Sequence, residues 1–161
     1  MTQNPQTAII TPGELLAHWQ GHRRLTRRVI LAFPEDGLFS FSPAPPMRSF
    51  GELGWEMHRV AAYTLDALQS GDWAWPSSRP PEPPQQRESL LSSWDELTQR
   101  LDAEWSRVPA TTFPLEQDIP WGRQTAMSAT LYAIDNEIHH RGQGYVYLRA
   151  LGLEPPPFWE R

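Results

Sequence analysis

Proline cannot sit in a helix interior or a central strand without breaking it, because it lacks the backbone N–H and its ring clashes with the preceding turn. The seventeen prolines of this 161-residue chain therefore constrain its fold more than any other feature. Apart from Pro5 and Pro12 they fall at Pro34, Pro43 to Pro46, Pro76 to Pro84, Pro109 to Pro120 and Pro155 to Pro157. The long stretches they leave free each carry apolar residues at a helical period.

The first stretch opens with Thr11-Pro12-Gly13-Glu14, a capping box with proline at the first helical position. Leu15, Trp19, Thr26 (through its methyl), Val29, Ile30 and Phe33 then mark one face, and Pro34 stops the run. Ser49-Phe50-Gly51-Glu52 is a second capping box, followed by Leu53, Met57, Val60, Ala61, Thr64, Leu65 and Leu68, with an end near Ser70-Gly71. A third helix is predicted from Glu88 to Val108 on the spacing of Leu90, Trp94, Leu97, Leu101, Trp105 and Val108. The fourth is predicted from Gly122 or Arg123 to Ala150. Its stripe of Met127, Leu131, Ile134, Ile138, Tyr145 and Leu148 predicts lengthwise packing against its neighbours. The flank beside it, Ala129, Ala133, Asn136, His140, Gly144 and Tyr147, is small, then polar, then small, which leaves room for a cavity.

These segments predict an all-α protein, a four-helix bundle with long proline-rich connections, and one domain over residues 1–161. Phe39 and Phe41 are expected to cover the bundle end. The strap from Asp72 to Arg87 is anchored by Trp73 and Trp75, and its run Pro80-Pro81-Glu82-Pro83-Pro84 favours polyproline II. Thr111 to Trp121 reads as a further covering segment, and the tail after Glu154 as a rigid piece that folds back.

The absence of cysteine excludes thiolate metal sites, disulfides and a cysteine nucleophile. A net charge of −5 argues against nucleic acid as a partner, and Arg23, Arg24, Arg27 and Arg28 read as a solvated helix face. No stretch approaches the roughly 20 apolar residues of a membrane span, so a soluble cytoplasmic protein is expected.

The chemistry concentrates in Asn136-Glu137-Ile138-His139-His140-Arg141-Gly142-Gln143. Adjacent helical residues point about 100° apart, so His139 and His140 cannot face one site together. Asn136 lies one turn before His140 on the same face, the i, i+4 spacing that metal-ligand pairs use. Glu137 stands i, i+4 from Arg141 and can pair with it. His18 and His22 share that spacing in the first helix but read as hydrogen-bonded or surface histidines. His58, beside Gly54, Ala61, Ala62 and Leu65, reads alone as a structural residue. In a bundle, His58 and His140 come from helices that can converge.

Ser49-Phe50-Gly51-Glu52 with Met57-His58, the His139-His140-Arg141-Gly142-Gln143 core, Tyr145-Val146-Tyr147-Leu148-Arg149, and Leu151-Gly152 before Pro155-Pro156 resemble the DinB-like family. That family includes YfiT-type metal-dependent hydrolases and the mycothiol- and bacillithiol-dependent transferases. The resemblance spans the whole chain. It implies a bundle holding a divalent metal, zinc or nickel, on three histidines: one from the second helix, matching His58, and two from the fourth, matching positions 136 and 140. It also implies a small-molecule substrate, a low-molecular-weight thiol activated by the metal, and a homodimer formed through helix faces. This chain has Asn136 where the family's middle histidine stands, and a neutral amide is a weaker donor to zinc than imidazole. Two readings follow. One is a metal-dependent thiol S-transferase or hydrolase with His58, His140 and Asn136 as ligands. The other is a metal-free or weakly metal-binding dimeric bundle with a binding or stress-related structural role.

Overall fold

Both capping boxes close as their sequences dictate. The Thr11 amide donates to Glu14 Oε2 at 2.8 Å, and the Ser49 amide donates to Glu52 Oε2 at 2.9 Å. In this computed structural model, which describes residues 9–78 and 81–161, they start α1 (Pro12–Ala32) and α2 (Phe50–Ser70). Gly71 ends α2 at φ 75°, a left-handed cap that favours glycine. Of the proline-rich strap, Pro80 lies outside the described residues. Helix α3 (Arg87–Glu104) and helix α4 (Ala126–Ala150) complete the bundle.

Two boundaries differ from the sequence expectation. Helix α3 ends at Glu104 and tightens into a 3₁₀ turn, Trp105–Arg107, before Pro109. Residues Glu116–Ile119 (β1) and Gly122–Thr125 (β2) form an antiparallel hairpin in the register Glu116↔Thr125 and Ile119↔Gly122. Gly122 adopts φ 135°, which turns the chain, and Glu116 pairs with Arg123 at 2.8 Å. Helix α4 therefore starts only at Ala126, where the Thr125 hydroxyl accepts from the Ser128 amide at 3.1 Å.

In the bundle α2 packs on α4 and α3, and α1 packs on α4 and α3. The buried apolar residues divide into two clusters. One holds Leu15, Trp19, Leu65, Leu97, Leu101 and Ala133; the other holds Val29, Phe33, Phe50, Met57, Leu90 and Trp94. Between them runs a polar layer of His22, Arg23, Thr26, Glu137, His140 and Arg141, all buried. The α4 stripe also differs from expectation, since Leu131 and Ile138 are exposed and the flank with Ala129, Ala133, His140, Gly144 and Tyr147 is buried. Small residues there admit close approach: a Cβ on Gly144 would lie 2.3 Å from a ring carbon of Phe50. The arginine cluster is only partly solvated. Arg23 is buried, donates to the Trp94 carbonyl at 2.9 Å and lies 4.1 Å from the Trp94 ring centre.

Candidate functional site

The polar layer is organised by the motif in α4. Glu137 is buried and accepts from the Thr26 hydroxyl at 2.6 Å, with Arg141 3.7 Å away. Burial pushes its carboxyl pKa upward against the pull of Arg23, Thr26 and Arg141. Arg141 donates to Thr26 Oγ1 at 3.0 Å and to His22 Nδ1 at 2.8 Å, which ties α4 to α1. Arg141 and Glu137 are thus interior locks.

His22 faces a guanidinium donor at each ring nitrogen, Arg141 at Nδ1 (2.8 Å) and Arg161 at Nε2 (3.3 Å), and its Nε2 also lies 3.2 Å from His18 Nε2. Burial, with Arg141, Arg161 and His18 nearby, pushes its pKa down to about 3. A site ringed by arginines disfavours a cation, and the i, i+4 histidine pair of α1 is a hydrogen-bonded one.

His140 is the residue through which α4 meets α2. Its Nε2 lies 3.0 Å from Glu56 Oε1, and its Nδ1 lies 3.4 Å from Gln143 Oε1. Gln143 in turn donates to His139 Nε2 at 3.1 Å, which gives His139 and Gln143 a role in setting the ring. The second Glu56 oxygen is held by Arg48. The hydrogen bond from His140 holds the Glu56 carboxyl down at about 2, with Arg48 adding to it against the opposing effect of burial. An ionised carboxylate only accepts, so His140 Nε2 is the donor in this contact.

Glu56 was not among the residues marked by the sequence pattern. His58, which was, sits two positions further along α2, about 200° around the helix. Its ring stacks on Trp55 at 4.8 Å and 7°, and its Nδ1 is buried without a partner. Burial, with Arg23, Arg100 and Arg59 nearby, pushes the His58 pKa down to about 4. No hydrogen bond or ion pair joins His58 to His140 among the described residues. Asn136 lies beside His140 as the spacing requires, and its Oδ1 is buried without a partner. The signal that points to Glu56 is positional: it is one turn past the capping glutamate Glu52 on the flank of α2 that faces α4.

These residues do not fit the zinc or nickel ion that the resemblance implies. One imidazole, one carboxylate already paired with a guanidinium, and one neutral amide make a poor set for such ions. Among the described residues no group of three or more His, Asp or Glu side chains comes together as a metal site.

A four-helix bundle whose fourth helix meets the second through His140 and Glu56 defines the class of protein. A model of the DinB family matches residues 1–161, and the chain belongs to that generally metal-associated family. The crystal structure of a DinB-like protein, YjoA, from Bacillus subtilis is similar, with a TM-score of 0.74 and 21% identity over 92% of this chain and 98% of that one. A DinB-like protein from Bacillus cereus ATCC 10987 is similar at TM-score 0.69 and 19% identity, again over 92% of this chain and 98% of that one. These likenesses establish the fold. Comparison with curated protein sequences finds no match. No helix among the described residues is long and apolar enough to cross a membrane.

Proposed function

We propose that this chain is a ligand-binding member of the DinB family in which a carboxylate–imidazole hydrogen bond, rather than a resident zinc-type ion, joins α2 to α4. The observation that carries this reading is the Glu56 carboxylate seated on His140 Nε2 at 3.0 Å with Arg48 on its other oxygen. A carboxylate bridging an imidazole and a guanidinium supplies the cross-helix link that a metal supplies elsewhere. It also occupies the nitrogen lone-pair direction that a metal needs. The small-molecule site is the groove on the outer face of α2, which Glu56 and His58 both line.

A second reading, the metal-dependent thiol S-transferase or hydrolase, is favoured by one observation. Asn136 Oδ1 is buried, lacks a partner and shares a face with His140, which is where an ion at Asn136 and His140 would draw on it. Calorimetric titration of the metal-stripped protein with zinc, nickel and manganese separates the two. Under the first reading no ion binds at micromolar concentration. Binding of one ion per chain that His140→Ala abolishes would overturn it in favour of the second. In either case we propose a homodimer, supported by the apolar residues Leu131, Ile138 and Val146 exposed along α4.

A further inference from the structure

The outer face of α2 carries a second concentration of chemistry, unused by the polar layer. Trp55, Tyr63, Trp75, Trp121 and Tyr132 line one groove of about 510 Å³. Ring centres are 5.0 Å apart for Tyr63 and Trp75, 5.7 Å for Trp75 and Trp121, and 5.0 Å for Trp121 and Tyr132. Four rings from α2, the strap, the hairpin turn and α4 thus form one continuous wall. The wall is held in place from behind. The Tyr63 hydroxyl donates to the Trp73 carbonyl, and Trp55 Nε1 donates to the Pro81 carbonyl at 3.3 Å.

Trp75, Trp121 and Tyr132 are 56%, 41% and 44% exposed. Large rings gathered from three separate elements and left facing water on one groove mark a surface that a ligand covers. Flat rings tilted against one another offer faces and edges to a further ring, the geometry in which aromatic pairs attract.

The charges in the groove are unequal once their partners are counted. Glu56 is taken by His140 and Arg48, and Asp66 by Arg100 at 2.7 Å. Arg59 lines the same groove and makes no ion pair among the described residues. The unbalanced charge beside the aromatic wall is therefore positive.

We propose that this groove binds a planar aromatic carboxylate, its ring stacked on the Tyr63–Trp75–Trp121–Tyr132 wall and its carboxylate on the Arg59 guanidinium. Guanidinium and carboxylate match as a two-bond fork. An organic cation is drawn to ring faces, but here both carboxylates are already neutralised and Arg59 repels it. The inference rests on the ligand-binding reading above and adds the chemistry of the ligand.

The test is calorimetric titration of the full chain with three probes of equal ring size: 1-naphthoate, 1-naphthalenemethanol and 1-naphthylmethylammonium. Indole N–H resonances locate each probe. Naphthoate is expected to bind saturably, about tenfold or more tighter than the alcohol, and to shift the Trp75 and Trp121 signals. Arg59→Gln, at an exposed position, should remove that advantage and leave alcohol binding unchanged, whereas Trp121→Ala should weaken both. Equal affinity for naphthoate and alcohol, or tightest binding of the ammonium, would overturn the aromatic-acid assignment while leaving the ligand-binding reading in place. No saturable binding of any probe would overturn both.

Discussion

Glu56 Oε1 lies 3.0 Å from His140 Nε2, a polar contact that joins the capping-box helix α2 to the His-His-Arg-Gly-Gln helix α4. Around it the two helices are clamped at successive heights. Tyr147 Oη donates to the Arg48 carbonyl at 3.0 Å, and the Arg48 side chain returns to Glu56. Removing the Glu56 charge should loosen the clamp. Glu56→Gln keeps the shape and is expected to cost on the order of 1 kcal/mol, since the carboxylate is about a third exposed and partly screened. The same variant should lose acid sensitivity at low pH. A carboxyl held down at about 2, against an ordinary 4.5, contributes stability that is fully present above 4.5 and is lost as pH falls toward 2. Urea midpoints of both proteins from pH 5 to pH 2 check this; unchanged curves would contradict it.

Asn136→His tests the metal argument in the opposite direction. It places a second imidazole one turn from His140, whose ring meets Glu56, and two histidines with one glutamate are a donor set that catalytic zinc sites use. Zinc affinity should rise by at least about tenfold over the parent chain. A variant that binds zinc no better would mean that Asn136 does not face Glu56 and His140.

Much of this architecture is written in local signals. Both capping boxes, the proline stops and the 3–4 apolar spacing of α1, α2 and α3 announce their helices because those signals act within one or two turns. The face of α4 was harder to read. Its large apolar residues Leu131 and Ile138 point outward, while Ala129, Ala133 and Gly144 point in. Close helix approach rewards small side chains, which hydropathy ranks below large ones. The hairpin was missed because β2, Gly-Arg-Gln-Thr, has no apolar alternation and is held by its pairing with β1. In the polar layer, the shared helix face of His140 and Asn136 follows from their i, i+4 spacing. Glu56 was not marked, because its place one turn past Glu52 is a weak signal among nineteen acidic residues until its cross-helix partner is known.

Close approach at Gly144 makes a sharp stability prediction. The Cβ of an alanine there would sit 2.3 Å from Phe50 Cε2. Phe50 cannot easily yield, because its ring stacks on Phe33 at 4.7 Å and 9° inside the core. Gly144→Ala gains helix propensity yet should destabilise the protein by about 1–3 kcal/mol through overpacking. A thermal midpoint equal to or above the parent's would contradict this.

Acid should weaken the bundle from about pH 6.5 downward through its buried histidines. His58 is held down at about 4 and His22 at about 3, against an ordinary 6.5. Below pH 6.5 the unfolded imidazoles take up protons that the folded ones refuse, so the unfolded state gains. Each histidine then removes up to about 1.4 kcal/mol per pH unit until its folded pKa is reached. Stability should fall between pH 6.5 and pH 4, and His58→Gln should flatten that fall. An identical slope in the variant would show that His58 is not among its sources.

The exposed stripe on α4 predicts the assembly. Leu131, Ile138 and Val146 are 41%, 38% and 58% exposed, and the first two are two turns apart on one face, with Gly142 one turn beyond Ile138. A face that alternates apolar side chains with a glycine lets a second helix lie close along it. In a homodimer these residues are covered by the same residues of a second copy, so a charge placed there meets its own image across the two-fold axis. Ile138→Asp should convert the dimer to monomer in sedimentation velocity at micromolar concentration. Because Ile138 faces away from the core, the helical circular dichroism of that variant should match the parent's. A parent chain that sediments as a monomer, or an Ile138→Asp protein that remains dimeric, would show that this stripe is not the interface.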